Sequence, residues 1–259
     1  MSGRHEPDAY GKDWDAFSAR ILCADATQDG ALAPLMREAK ADLFLTDPPY
    51  GIYGSSSGLA ADITDDKIIR PFFRSALLVA KEWTREFAHI YVFCDWRSWA
   101  SWWEMAKQAG LDVKNCIVWD KGGSGLGNNY ANTHEFVAFL ANLPPQPAMA
   151  SRRRSGQRPV LKPNLMRCDR VTGDDRLHNA AKPVAFLSDL IENSTDPGEL
   201  VLDPFVGSGS TLIACERTGR RCVAVDVAPG WCDVTRQRYA DLMGDRRWSP
   251  AGRLTPASK

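Results

Sequence analysis

The sequence predicts an α/β fold: a mostly parallel sheet of about seven strands with helices on both faces. Three observations predict it. Short apolar runs of strand length alternate with longer segments whose apolar residues recur at helical spacing, the pattern of successive βαβ units. Two of those runs stop at an aspartate followed by proline, Asp47-Pro48-Pro49-Tyr50 and Asp203-Pro204-Phe205. Open α/β sheets bind ligands just outside the carboxyl ends of such strands. The chain has 259 residues, 44% hydrophobic and 25% charged, enough for one large domain with a sizeable core.

The elements follow in order. Residues 1–18 are polar and without period, and are expected as a loose arm ahead of a domain over 19–243. Arg20 to Cys23 reads as a strand ending at Asp25, Gly30 to Ala39 as a helix, and Asp42 to Thr46 as the second strand. Gly51 to Asp66 is rich in Gly, Ser and Ala and long for a connection, as active-site lids are. Lys67 to Trp83 is a helix and His89 to Cys94 a buried strand. Asp95 is placed to cap a helix carrying Trp96, Trp99, Trp102, Trp103 and Met105, a stripe that fits a core-facing side better than a base-stacking platform. Val113 to Trp119 is a strand, followed by a Gly-rich turn over 122–127 and a strand over His134 to Leu140. After an insertion, Pro183 to Asn193 is a helix, Leu200 to Leu202 a strand, Thr211 to Thr218 a helix, Arg221 to Asp226 a strand and Gly230 to Met243 a helix. Residues 244–259 are expected as a frayed tail.

The insertion covers about 142–178 and reads as an excursion from the sheet. Between 151 and 176 it holds eight basic and three acidic residues, including Arg152, Arg153, Arg154 and Arg158. It is either a solvated loop or a surface that contacts phosphates, which Arg meets as a rigid fork. The formal net charge of the chain is zero, so a nucleic-acid role rests on a local patch of this kind. Seven scattered cysteines form no C-x-x-C pair, which argues against a disulfide framework. No apolar stretch is long enough to span a membrane and the first residues carry no secretory signal, so a cytoplasmic location is expected. His5 lies in the arm, His89 reads as structural, and His134-Glu135 lacks a partner at metal-ligand spacing; no metal site is expected.

Two motifs carry chemistry. In Asp47-Pro48-Pro49-Tyr50, consecutive prolines fix two φ angles and remove two donors. The stiff turn presents a carboxylate, free carbonyls and an aromatic ring, a set suited to a planar group that donates hydrogen bonds, such as a nucleobase amine. In Asp203-Pro204-Phe205-Val206-Gly207-Ser208-Gly209-Ser210, the glycines allow close backbone approach ahead of a helix N-terminus, and Asp226 ends the next strand, where an acid suits a ribose diol. Neither the dinucleotide fingerprint nor a P-loop is matched. Asp203 repels a pyrophosphate and can hold an ammonium, so the nucleoside ligand expected is one with an amino group, as in S-adenosylmethionine.

These motifs, in this order, resemble the β-class amino-methyltransferases of DNA, with their Asp-Pro-Pro-Tyr and D-P-F-x-G-S-G signatures. Trp119 to Glu135 and His178 to Pro183 resemble two further family segments, so the likeness runs from about residue 20 to 242. The resemblance implies a Rossmann-like methyltransferase fold of permuted motif order. It implies S-adenosyl-L-methionine as cofactor and double-stranded DNA as partner, with the target base flipped, often a homodimer, and a setting in restriction–modification. It gives Asp47, Pro48, Pro49 and Tyr50 the amine. Asp203 takes the cofactor ammonium, Phe205 and Asp25 the adenine, Gly207 and Gly209 close backbone contact, and Asp226 the ribose. Ser210, Thr211 and Lys182 are candidates for the carboxylate. Asp226 departs from the Glu of many members, which shortens its reach. Asp47 favours adenine N6 over cytosine N4, where Ser is commoner in this position; an RNA or protein-amide methyltransferase, whose members usually carry Asn there, and a non-catalytic module that binds cofactor and DNA are the further alternatives.

Overall fold

Every residue of the strand Ala41–Thr46 (β2) is buried, and the sheet is built outward from it in both directions. The computed structural model describes residues 19–49, 66–123, 130–143, 162–170 and 182–244, with 66–69 as backbone only. The expected arm and tail, the 51–65 loop, Tyr50, residues 124–127, the arginines 152–154 and 158, and His178 lie outside the described residues.

The strands are β1 (Ala19–Cys23), β2, β3 (Thr84–Cys94), β4 (Asp112–Asp120), β5 (His134–Ala141), β6 (Leu165–Arg167), β7 (Leu200–Asp203) and β8 (Arg221–Asp226). The helices are α1 (Ala33–Met36), α2 (Asp66–Trp83), α3 (Trp99–Gln108), α4 (Val184–Ser194), α5 (Ser210–Arg217) and α6 (Pro229–Met243). The strand order is β1-β8-β7-β2-β3-β5-β4-β6, and only the pairings of β5 are antiparallel. From β7 the chain crosses through α5 to β8 on one side; from β2 it crosses through α2 to β3 on the other. The boundary between β7 and β2 is therefore a topological switch point, where a crevice opens beyond the strands' carboxyl ends. Both Asp-Pro motifs emerge there. Leu43 pairs with Val201 and Phe44 with Leu202, which brings Asp47 and Asp203 out at the same edge although they are far apart in sequence.

The core runs along both faces of the sheet. Phe73 of α2 stacks on Trp102 of α3 with centroids 3.8 Å apart. The tryptophan stripe divides: Trp102 and Met105 are core and Trp99 packs against it, whereas Trp96 is 63% and Trp103 41% exposed. A single helical face cannot hold all four tryptophans at once. Asp95 does not cap this helix: its Oδ1 accepts the backbone N–H of Ser98 at 2.9 Å in the turn ahead of it, and Ser98 occupies the helix start without a side-chain cap. His89 is structural as expected. Its Nδ1 meets Ser194 Oγ at 2.8 Å, and Tyr91 OH meets the same oxygen. Burial holds the imidazole down at about 4, neutral at ordinary pH.

Three elements differ from the expectations. The helix expected over 30–39 is one turn, bounded by Gly30 and Arg37 at positive φ. Strand β3 begins at Thr84, five residues before His89, because the charges that disguise its start are paired: Arg85 bridges Asp42 and Glu199. A bulge at Phe87, with φ 65°, absorbs the extra length. The basic insertion, expected outside the sheet, contributes β6, a short edge strand parallel to β4. With half-exposed residues and only three of them, β6 carries too little pattern to be read from sequence.

Candidate active site

At the crevice, Thr46 joins the two motifs. It is the last residue of β2, and its Oγ1 donates to Asp203 Oδ1 at 2.6 Å inside the protein. Phe205 N–H donates to the same oxygen at 3.1 Å, and the Thr211 hydroxyl also bonds the Asp203 carboxyl. Asp203 is 2% exposed. Burial pushes its carboxyl up to about 6 despite these donors, so the site gains from a cation placed beside it.

The loop after Asp203 is shaped by Asp226. Its two carboxylate oxygens accept the backbone N–H of Gly207 at 2.9 Å and of Ala228 at 2.8 Å. Gly207 and Gly209 both have positive φ, 51° and 86°. Their reasons for being glycine differ. A Cβ on Gly207 would meet nothing within 4 Å, which leaves open space beside the backbone. A Cβ on Gly209 would lie 2.9 Å from the side chain of Thr235 on α6, so this glycine serves helix packing as well as conformation. Thr235 Oγ1 donates to the Gly207 carbonyl at 2.7 Å and clamps the loop from below. Ser210 and Thr211 form the buried first turn of α5. Phe205 packs its ring 5.3 Å from Phe72 of α2.

Asp25 follows β1, whose Cys23 pairs with Asp226, so the two acids are neighbours along the sheet edge. Its Oδ1 accepts from Thr27 N–H and Oγ1, and its Oδ2 from Gln28 Nε2. Burial works against the carboxylate here, but these bonds outweigh it and hold Asp25 below its ordinary range. Asp25, Asp203 and Asp226 thus line one edge with three carboxylates. That acceptor set, with the space at Gly207, fits a nucleoside carrying hydroxyls and an ammonium and disfavours a phosphate.

On the other side of Thr46, Asp47 Oδ2 accepts from Lys182 Nζ at 2.6 Å. Asp47 Oδ1 is buried, and no donor reaches it among the described residues. A buried acceptor without a donor costs free energy, about 1–3 kcal/mol, which an incoming N–H recovers. Pro48 is buried beside it. Lys182 is expected at a cofactor carboxylate; the structure instead pairs it with Asp47 and, at 3.3 Å, with Glu135. Glu135 also takes Lys121 at 3.3 Å. Glu135 reaches this edge because β5 is antiparallel: its first residues lie where the neighbouring strands end. The sequence analysis places Glu135 at the end of a family-like segment, Trp119 to Glu135, but gives it no role; a charge opening an apolar strand is the signal that could have singled it out.

The charges set one another. Burial raises Asp47 above the ordinary carboxylate value, with Glu135 adding to the rise and Lys182 opposing it. Burial acts to lower Lys182, but Asp47 and Glu135 outweigh it and keep the ammonium charged. Burial acts to raise Glu135, but Lys182 and Lys121 hold it below its ordinary value. No His, Cys, Asp and Glu group with metal-ligand geometry occurs among the described residues, and none of their helices is long and apolar enough to cross a membrane.

Comparison with known proteins agrees with this geometry. The YubD protein of Escherichia coli (strain K12) is 30% identical over 213 residues, covering 77% of this chain and 82% of its own length. Type II methyltransferase M.HpaI of Haemophilus parainfluenzae is 25% identical over 241 residues, covering 85% of this chain and 73% of its own. The solved structure of an M1.HpyAVI–SAM complex has the same fold, with a TM-score of 0.64 at 20% identity over 85% of this chain and 98% of that one. So does the cytosine-N4-specific PvuII DNA methyltransferase, with a TM-score of 0.64 at 15% identity over 90% and 89%. A DNA methylase family model matches residues 41–237, from the first residue of β2 into α6 and across both motifs. With the crevice, the paired aspartate motifs and this match in agreement, the chain belongs to the DNA methylase family of N6/N4 amino-methyltransferases.

Proposed function

We propose that the protein transfers a methyl group from S-adenosyl-L-methionine to the N6 amine of adenine in double-stranded DNA. The observation that carries this reading is the open oxygen of Asp47, held at the switch point and joined through Thr46 to Asp203. Bound there, the cofactor supplies an electrophilic methyl on a sulfonium. Asp203 holds its ammonium, Gly207 admits it against the backbone, and Asp226 takes the ribose hydroxyls. Phe205 and Asp25 contact its adenine, and Gly209, Ser210 and Thr211 form the turn that faces its carboxylate.

The substrate amine is a poor nucleophile because its lone pair is conjugated with the ring. Asp47 Oδ1 and the Pro48 carbonyl would accept its two N–H groups, turn the lone pair away from the ring and stabilise the positive charge that grows on nitrogen as the methyl leaves sulfur; one of those two protons then passes to solvent, giving the neutral methylamine. Pro49 keeps the turn stiff. Tyr50, which follows the described residues, stacks on the base. Inside a duplex that base is out of reach, so it is flipped, at a cost of roughly a few kcal/mol, of which stacking returns about 1–3 kcal/mol. Arg152, Arg153, Arg154 and Arg158 neutralise phosphates of the duplex. Asp as the first residue of the tetrapeptide supports adenine over cytosine N4.

The deciding experiment incubates protein, DNA and methyl-labelled cofactor, digests the DNA and identifies the labelled nucleoside. Label on adenine N6 is expected; label on cytosine N4, or cofactor binding without transfer, would overturn the reading in favour of those alternatives. Replacing Arg152, Arg153 and Arg154 by Ala should weaken DNA binding and reduce the slope of log affinity against log salt by up to about 3. An unchanged slope returns this segment to a solvated loop.

A further inference from the structure

The charges beside Asp47 exceed what neutralising it requires. One lysine would suffice. Instead, Asp47, Lys182, Glu135 and Lys121 form an array of alternating sign, drawn from the end of β2, the entry to α4, the start of β5 and the residue after β4. The Lys182 side chain is 7% exposed and that of Asp47 25%. Its Nζ also lies 5.1 Å from the centre of the Phe93 ring on β3, so the ammonium is fixed from three sides. Isolated charges buried this far are unfavourable by several kcal/mol each, and an array whose signs cancel is the form in which they are tolerated.

We propose that Lys182 and Glu135 are positioning residues for the transfer: Lys182 occupies Oδ2 of Asp47 so that Oδ1 alone is presented to the substrate amine, and Glu135 sets how strongly Lys182 acts on it. This inference rests on Asp47 being the amine acceptor. It gives the two neighbours opposite effects on one carboxyl. Lys182 favours ionised Asp47; Glu135 disfavours it directly and draws Lys182 away. Among the described residues, the other titratable groups that face Asp47 are Asp203 across Thr46 and the Cys94 thiol at the end of β3, neither of them cationic. Lys182, already protonated and held so by two carboxylates, has no lone pair with which to act as the base.

The test compares single-turnover methyl transfer across the acid limb of its pH profile in wild type, Lys182→Met and Glu135→Gln. Lys182→Met should slow the transfer roughly tenfold or more and move the limb to higher pH. Glu135→Gln, nearly isosteric, should move it to lower pH. Shifts of the same sign, or none, overturn the proposal, since a structural role alone gives no reason for opposite signs. Because Lys182→Met leaves two carboxylates together and is the variant at risk of misfolding, Glu135→Gln serves as the independent arm. The Asp47 carboxyl is also titrated directly by carbon NMR, assigned with Asp47→Asn and needing neither DNA nor turnover. There the order expected is Lys182→Met highest, wild type next and Glu135→Gln lowest; any other order overturns the array. A wild type that methylates no DNA while keeping this order refutes the proposed function alone. An active wild type with the order broken refutes the array alone.

Discussion

The two sides of the crevice solve the same problem, holding a buried carboxylate, by opposite means. On the Asp203–Asp226 side the carboxylates are held by neutral donors: backbone N–H groups of the adjoining loops, the hydroxyl of Thr211 and, from the neighbouring strand β2, that of Thr46. Those bonds shape the turn whether or not a ligand is present. On the Asp47 side the carboxylate is held by an ion pair from a distant helix entry, and one oxygen is left without a donor. The first side is a mould completed by neutral hydrogen bonds. The second is a charge balance completed by tertiary structure and, on the proposed function, by substrate. Both sides depend on contacts between distant segments, and the difference lies in neutral donors against paired charges.

The largest effect should come from separating the two sides. Asp47→Ala should lower methyl transfer by about 10²–10³-fold or more, the scale of losing a preorganised group opposite developing charge, while calorimetry finds cofactor affinity nearly unchanged. Asp203→Asn should do the reverse, weakening cofactor binding by roughly 1.5–3 kcal/mol through loss of a charged hydrogen bond. A cofactor loss in Asp47→Ala equal to that in Asp203→Asn would erase the distinction drawn between the sides.

The glycines give the next effect. Gly209→Ala places a Cβ 2.9 Å from Thr235 at a residue whose φ is 86°, and should destabilise the protein by about 1–3 kcal/mol in thermal or denaturant unfolding. Gly207→Ala meets nothing within 4 Å and should lose less stability, its damage appearing as weaker cofactor binding. Equal destabilisation by the two would show that conformation alone, and not Thr235, requires Gly209.

The smallest effect is one of pH. Asp203 titrates at about 6 in the folded protein against an ordinary value of 3.8. A ligand ammonium needs the ionised form, so cofactor affinity should fall as pH drops through about 6. Stability of the free protein runs the other way. The folded state holds a proton that the unfolded state has released between those two values, so the contribution of Asp203 is present below 3.8 and is lost as pH rises through about 6. Thr46→Val removes a donor to the ionised carboxyl and should move the affinity midpoint upward. Calorimetry and thermal melts across this range would read both trends, and trends of the same sign would contradict the burial of Asp203.

The amino-acid sequence by itself determined the alternation of strands and helices, both aspartate motifs and the order in which they occur. Each of these is a short-range pattern: apolar periodicity, a run of prolines, glycines between an acid and a helix. It also placed Asp25, Asp203 and Asp226 at the ends of strands, since the end of a strand is a local fact; strand pairing sets them along one edge. Tertiary structure decided the rest. The β7–β2 pairing set Asp47 beside Asp203, and the reversal of β5 brought Glu135 to the edge that carries Asp47. Lys182 changed partners for the same reason. In sequence it is a lysine before a proline at a helix start, whereas in the fold it is a buried ammonium between two carboxylates. Periodicity records which way a side chain faces along its own element. Which charge it meets across the sheet depends on strand order and direction, which no local pattern encodes.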